Sequence, residues 1–587
     1  MTTIIMKHTS TKKKDIIKLA ISLAVIVFVN YAAGFINIKI DLTKDKKYSL
    51  SPVSKEILKN LDAKVSIKVY LDGKLSIPYK KFSRSIEDKL EEFKVYGKDR
   101  LSYTFIDPLK DTIFRELQQK KLNPVNYSYK NRQGDLTIAT IVPGALISYR
   151  GREVPVNLLK DGPVSDEEKV NSSLELLEYK FINMIRKITN DSPDTIGFII
   201  GHGELYGYEL EDIYSELEDC YKIDKVVMIN GQAGILDKYK SIIIAKPKYR
   251  FSEADKFVID QYIMNGGKVL WLIDAVSVGN VDSLLIKGYI KTSINNLNIE
   301  DQLFRYGIRI NPVLVKDKVC TILPINVASL NQVADWAPFD WPYFPMLIPA
   351  PDHLVTKNSS YIRSQFANTI DTLGSRKTVK KTILLKTSKN NKLVMAPPII
   401  SKEEIFYDEP ASAFDTVSKP VAVLLEGTFE SDFNNRPVPE NLIHGEKKIP
   451  FRDKSANTKM IVVADGDVIR NDFIVLTDGV IILPLKTDKY IEFINYYGKE
   501  ELPSFFDNKD FMVDAINYLT NTRGITELRN REYELRLLDE VKTGSLKNRI
   551  KWQLINTLMP VLIIIAFGLL YNYLRKRKYT SASILNP

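Results

Sequence analysis

The strongest constraint on this chain lies between Asp194 and Ala275, where short apolar runs alternate with helical stripes. Thr195-Ile-Gly-Phe-Ile-Ile200 is apolar and β-branched, the mark of a buried strand, and it ends in the tight polar turn Gly201-His202-Gly203-Glu204. Leu210, Ile213, Tyr214 and Leu217 then recur at the spacing of an amphipathic helix. Val226–Ile229 and Ser241–Ala245 read as two further strands. Ser252-Glu-Ala-Asp255 is a capping box that opens a helix, with Ala254, Phe257, Val258 and Tyr262 facing a core, and Gly266-Gly267 suits its end. Lys268–Asp274 is one more strand, ending in an acid. Such alternation predicts a parallel, doubly wound α/β sheet.

Both ends of the chain have a different character. Leu19–Ile36 is eighteen residues without a charge and Leu554–Leu574 is twenty-one. At a rise of about 1.5 Å per residue, each is long enough to cross a hydrocarbon core of about 30 Å. Lys12-Lys-Lys14 precede the first run and Arg575-Lys-Arg-Lys578 follow the second. By the positive-inside rule both tails are cytoplasmic, and everything between the runs lies outside. A cleaved signal peptide is the rival for the first run, since Ala32-Ala33-Gly34 offers small residues, but the run is long for that role. No cysteine follows it closely, so it is no lipoprotein signal.

The net charge of +11 is concentrated in the two tails, which carry +4 each and leave +3 elsewhere with no dense basic patch. The basic balance is therefore topological, and nucleic acid is not an expected partner. Cys220 and Cys320 fall in the exported part, where a disulfide between them is allowed, but two buried free thiols are expected because a domain this large needs no staple. At 587 residues the chain has room for about three or four domains of ordinary size.

After the first run, Val65–Tyr70, Leu101–Ile106, Ala145–Tyr149 and Glu153–Val156 read as strands, with helices at Lys80–Tyr96, Asp111–Lys120 and Ser173–Ile188. The order β-α-β-α-β-β-α is that of a thioredoxin-like fold, used here without a redox cysteine pair. Further on, Asp335–Pro345 is dense in aromatics and prolines and reads as a loop, either packed on its own domain or binding a partner. Pro420–Gly427 is a buried strand, and Lys459–Asp467 repeats the pattern of a strand ending in acids. Ile474–Leu483 is expected to be less regular despite its apolar content.

The chain contains no Walker A sequence, so it should not hydrolyse ATP itself, and no Gly-x-Ser-x-Gly elbow. Neither cysteine lies on a sharp strand-to-helix turn, as an amidotransferase nucleophile would. What remains is His202, Glu204, Asp274, Asp465 and Asp467, all at C-terminal strand ends, where the crevice of an open α/β sheet takes ligands. One histidine with several carboxylates suits a divalent cation or an acid–base pair. The alternative is structural: the glycines make the turn, His202 bonds a backbone carbonyl and the acids cap loops. No cofactor and no metal are expected.

Several stretches together resemble one family: Tyr48-Ser-Leu-Ser51, Ile196–Glu204, Gly266–Asp274, Pro420–Gly427 with Asn435-Arg436, and Val462–Asp467. Their order, with an apolar run at each end, is similar to the GldG proteins, gliding-motility-associated auxiliary components of an ABC transporter in Bacteroidota. The resemblance implies an extracytoplasmic subunit working with a separate permease and a cytoplasmic ATPase. It also implies that the central domain is similar to the class I glutamine-amidotransferase-like sheet of intraflagellar-transport proteins. It carries no catalytic residues.

The expected organisation is a tail (1–18), a span (19–36) and a thioredoxin-like domain (46–190). An amidotransferase-like α/β domain (191–525) follows, with an insertion at 281–458, then a juxtamembrane linker (526–553), a span (554–574) and a tail (575–587). Three roles stay open: a non-enzymatic transporter subunit, an anchored hydrolase using His202 and Glu204, and a scaffold of an envelope motility or secretion complex. The residues name no solute.

Overall fold

The computed structural model describes residues 49–520 with short interruptions, 546–581, and most of 17–28. The first apolar run thus falls largely outside the described residues, as does most of the 526–553 linker. The second run lies within the helix Leu546–Ser581, whose segment Ile550–Arg577 is long and apolar enough to cross a membrane. The remainder, Leu50–Arg531, is one compact unit.

Its first part is built on a four-stranded sheet in the order Leu101–Phe105, Val65–Val69, Gly144–Tyr149, Arg152–Asn157. The first two strands run parallel and the other pairings are antiparallel. A hairpin, Val125–Lys130 with Leu136–Ile141, stands apart from that sheet. The helices Ile77–Gly97 and Asp166–Thr189 pack together because each carries an apolar stripe: Phe82, Ile86, Leu90 and Phe93 on one, Phe181, Ile182 and Ile185 on the other. Phe93 meets Phe181 edge to face at 6.1 Å. Ser51 caps the helix Pro52–Lys59 by accepting from Ser54 N, and the buried Glu178 accepts from Ser51 N and Ser54 Oγ.

The second part is a ten-stranded sheet. Lys222–Met228, Thr195–Ile200, Ser241–Ala245, Val269–Leu272 and Thr458–Val463 lie side by side and parallel. From there the sheet turns antiparallel through Pro420–Gly427, Val379–Lys386, Trp336–Pro349 and Cys320–Asn326. It is therefore mixed, not wholly parallel. The antiparallel strands come from the stretch read as an insertion, which the alternation around Asp194–Ala275 could not report on.

The aromatic and proline-rich stretch is a strand of fourteen residues, not a loop. Over most of its length it is paired on one side only, an arrangement that tolerates the missing N–H groups of its prolines. Trp341, Tyr343 and Phe344 are buried in the protein's own core. Ile474–Leu483 is likewise regular, forming a hairpin of Phe473–Leu476 with Gly479–Ile482.

The helix Glu253–Met264 is buried on all sides, beyond the single face its apolar spacing predicts. Its charged residues are matched accordingly. Lys256 pairs with Asp301 at 2.9 Å, and Asp260 accepts from Ser431 Oγ, Tyr306 OH and Asp432 N. Cys220 and Cys320 are both free thiols, and burial raises the pKa of each.

Candidate functional site

The five residues singled out by the sequence fall into two clusters. The first is the turn after Thr195–Ile200. Gly201 and Gly203 both take positive φ, at 123° and 77°, and a side chain at Gly203 would come within 2.9 Å of the Tyr249 ring. This conformation turns His202 inward, where it stacks on Phe251 at 3.8 Å between ring centroids. Its Nδ1 lies 3.0 Å from Glu204 Oε1 and its Nε2 lies 3.2 Å from Asp255 Oδ2, while its backbone N–H donates to Glu204 Oε2.

Asp255 is the residue whose second role the sequence concealed. Ser252 Oγ does accept from Asp255 N, which is half of the capping box. The carboxylate accepts instead from Ser252 Oγ and Gly231 N and faces His202. Burial alone would lower the pKa of His202, but the hydrogen bonds and charges of Asp255 and Glu204 outweigh it and raise it to about 9. At neutral pH the ring is an imidazolium with both N–H groups facing carboxylates. It has no lone pair to act as a base.

The second cluster gathers Asp274, Asp465 and Asp467 around a cation. Lys246, directly after Ser241–Ala245, bonds Asp467 and lies 3.2 Å from Asp274. Lys246 takes φ +55°, and Gly466 permits its approach, since a Cβ there would lie 2.4 Å from the Lys246 Cβ. Gly466 N donates to Asp274 at 2.5 Å, and Asp465 accepts from Asp467 N and Gln365 N. Arg470 sits 2.8 Å from Asp467, and behind it Arg363 is held at 2.7 Å by Asp472.

Burial, and then the charges on Asp467 and Asp274, push Asp465 well above the usual carboxylate range. Burial raises Asp274 as well, against the pull of Lys246. Asp467 goes the other way: burial would raise it, but Arg470 and Lys246 hold it low. The place a divalent cation would take between Asp274 and Asp467 is filled by the Lys246 ammonium. Among the described residues no group of three or more His, Cys, Asp or Glu side chains is disposed to hold a metal ion.

A cleft of about 510 Å³ opens beyond these strand ends, lined by Lys246, Asp274, Gln365, Asp467, Arg470 and Tyr490 among others. His202, Glu204 and Asp465 do not line it. The two clusters are joined through the segment after Ser241–Ala245, since Leu205 N donates to Ala245 O, and Lys248 N and Tyr249 N donate to His202 O. Lys246 and Arg470 were not among the residues singled out. Lys246 stands at a strand's C-terminal end as the acids do, so the same positional rule reaches it once cations are admitted.

The chain is similar to several known sequences and structures. Residues 44–148 match a domain of unknown function, DUF7088. An uncharacterized protein of Borreliella burgdorferi is 23% identical over 593 residues, covering 97% of this chain and 99% of that protein. Among solved structures, the mmIFT52 N-terminal domain covers 56% of this chain and 98% of its own, with a TM-score of 0.29 and 14% identity. Residues 193–515, more than half of the chain and the whole of the region holding both clusters, match the family described as an ABC-type uncharacterized transport system, and the protein belongs to that family of auxiliary components.

Proposed function

We propose that this protein is the non-enzymatic, membrane-anchored extracytoplasmic subunit of an ABC transport system, of the GldG type, working with a separate permease and ATPase. The family match over 193–515 carries the transport assignment. The reading as a non-enzyme is supported by the state of the two clusters. His202 is doubly engaged by carboxylates, and the acids at the strand ends are neutralised by Lys246 and Arg470. The thioredoxin-like reading of the first part is supported by its four-strand order, and its use without thiol chemistry by the absence of cysteine between residues 46 and 190. The amidotransferase-like reading of the second part has the parallel half of its sheet in its favour.

Affinity purification of the full chain from native membranes, followed by identification of what is retained, tests the assignment. A permease and an ATPase should co-purify in fixed ratio, and a chain isolated without either would refute it. The hydrolase alternative makes an opposite prediction for Glu204→Gln. As a catalytic variant it would abolish function with the complex intact, whereas in the present reading function falls only as far as the protein level does.

A further inference from the structure

The cleft of about 510 Å³ opens where Ser241–Ala245, Val269–Leu272 and Thr458–Val463 end, the edge at which open α/β sheets take ligands, and its volume is that of a small-molecule site. Most of its polar groups are already spent on one another. Asp467 holds Lys246 and Arg470, Asp274 holds Lys246 and accepts from Gly466 N, and Asp472 holds Arg363. Asp282 at the rim lies 3.7 Å from Lys489, and Glu209 stands in the field of Arg470. A metal ion or an ammonium ligand would therefore have to displace a cation that the protein itself supplies.

What remains is donating capacity. Gln365 is 4% exposed, its backbone N–H donates to Asp465, and its Oε1 accepts from Arg470 Nη2 at 3.0 Å. That contact fixes the amide, since the reversed orientation would set its NH2 against the guanidinium. Nε2 is then left buried with no partner among the described residues, a costly state that an acceptor would relieve. Tyr490 is 5% exposed and is held by Asp488, which accepts from its backbone N–H, and by stacking on Phe344. Its hydroxyl makes no hydrogen bond among the described residues. Burial, and then the charges of Asp282, Asp472 and Asp488, raise its pKa, so it stays protonated and can donate. Lys248 is exposed, lines the cleft and has no carboxylate partner among the described residues.

We propose that the cleft binds a small oxyanion, a solute bearing a carboxylate or phosphate group, whose oxygens accept from Gln365 Nε2 and Tyr490 OH and whose charge is matched by Lys248. Two neutral donors and an unspent ammonium are complementary to a charged acceptor, and hydrogen bonds to an ionised oxygen are about twice as strong as neutral ones. Lys246 and Arg470 act indirectly. By neutralising Asp274 and Asp467 they remove the repulsion that the strand-end acids would otherwise exert on an anion. Those acids thus hold cations rather than the ligand. Phe366 and Phe473 supply apolar wall for the rest of the solute. As the site of a transported solute the cleft rests on the transport reading, whereas binding itself is a property of this chain alone.

The test is thermal unfolding of the full chain in detergent, titrated with sodium phosphate or sodium succinate against sodium chloride of matched ionic strength. At least one of the two anions should raise the melting temperature saturably where chloride does not, and the stronger of them tells phosphate from carboxylate. Tyr490→Phe removes one hydroxyl, keeps the stacked ring, and should weaken the apparent affinity about tenfold or more. Gln365→Leu should do the same, and serves if the first variant fails to fold. No saturable shift with either anion would overturn the proposal. Undiminished affinity in the folded variants would overturn it too, since the anion would then sit elsewhere. So would a saturable shift with magnesium chloride and with neither anion, because the acids would then be the ligands. A chain that binds neither anion yet retains permease and ATPase would strike this proposal and leave the transport reading, and a chain that binds but retains neither subunit would do the reverse.

Discussion

At the scale of residues, His202 shows how a short motif misleads when its partners are distant in sequence. Glu204 is visible two positions away, but Asp255 is contributed by a helix start more than fifty residues later. The pair of carboxylates makes the ring a buried cation, and this fixes the sign of its effect on stability. Below about pH 6.5 the ring is protonated whether the chain is folded or not, and its ion pairs contribute in full. Between there and about pH 9 the folded chain holds a proton that the unfolded chain has released, so stability falls as pH rises. The span between those values corresponds to roughly 3 kcal/mol. Guanidinium unfolding of the detergent-solubilised protein at a series of pH values should show this decline, and His202→Ala should remove it. A parallel pH dependence in the two proteins would show that His202 is neutral in the fold.

At the scale of elements, the junction of the antiparallel strands rests on a close backbone approach. Gly427 ends Pro420–Gly427 at φ +145°, and a Cβ there would lie 2.1 Å from the Thr378 carbonyl oxygen. The obstacle is backbone, so Val379–Lys386 would have to move away from its neighbour. Gly427→Ala should therefore cost about 2 kcal/mol or more. Gly207 offers the contrast: its φ is +62°, but nothing lies within 4 Å of a Cβ, so Gly207→Ala should cost only about 1 kcal/mol. Equal losses for the two variants, read by the same unfolding assay, would mean that the strand spacing is adaptable. Strand type itself was legible where burial made it so. Trp336–Pro349 was not, because its composition is that of a loop and only one-sided pairing makes its prolines tolerable.

For the whole molecule, the distribution of charge at the two ends makes a prediction independent of the sheet. If both basic clusters lie on the cytoplasmic side, as the positive-inside rule implies, protease added to intact spheroplasts should remove the region from about residue 37 to 553 and spare the tails. Digestion of the tails with survival of the centre would invert the arrangement. Each apolar run is an anchor in its own right on this reading. A chain ending before Leu546 should thus remain in the membrane, and release should require loss of Leu19–Ile36 as well.

The sequence by itself determined the elements whose signals are local. These are the helix Ile550–Arg577, the parallel strands around Asp194–Ala275, the stripes of Ile77–Gly97 and Asp166–Thr189, and the positions of acids at strand ends. Hydrophobic period and uncharged length act over ten to thirty residues, so one stretch of chain is enough to read them. Only the tertiary structure decided which of those ends meet. Lys246 and Asp467 are neighbours although 221 positions apart, and that ion pair turns an apparent cation site into a neutralised cluster. His202 and Asp255 are brought together the same way, at a separation of 53. Charge has no period along the chain, so its pairing is settled only when the sheet places distant strand ends side by side.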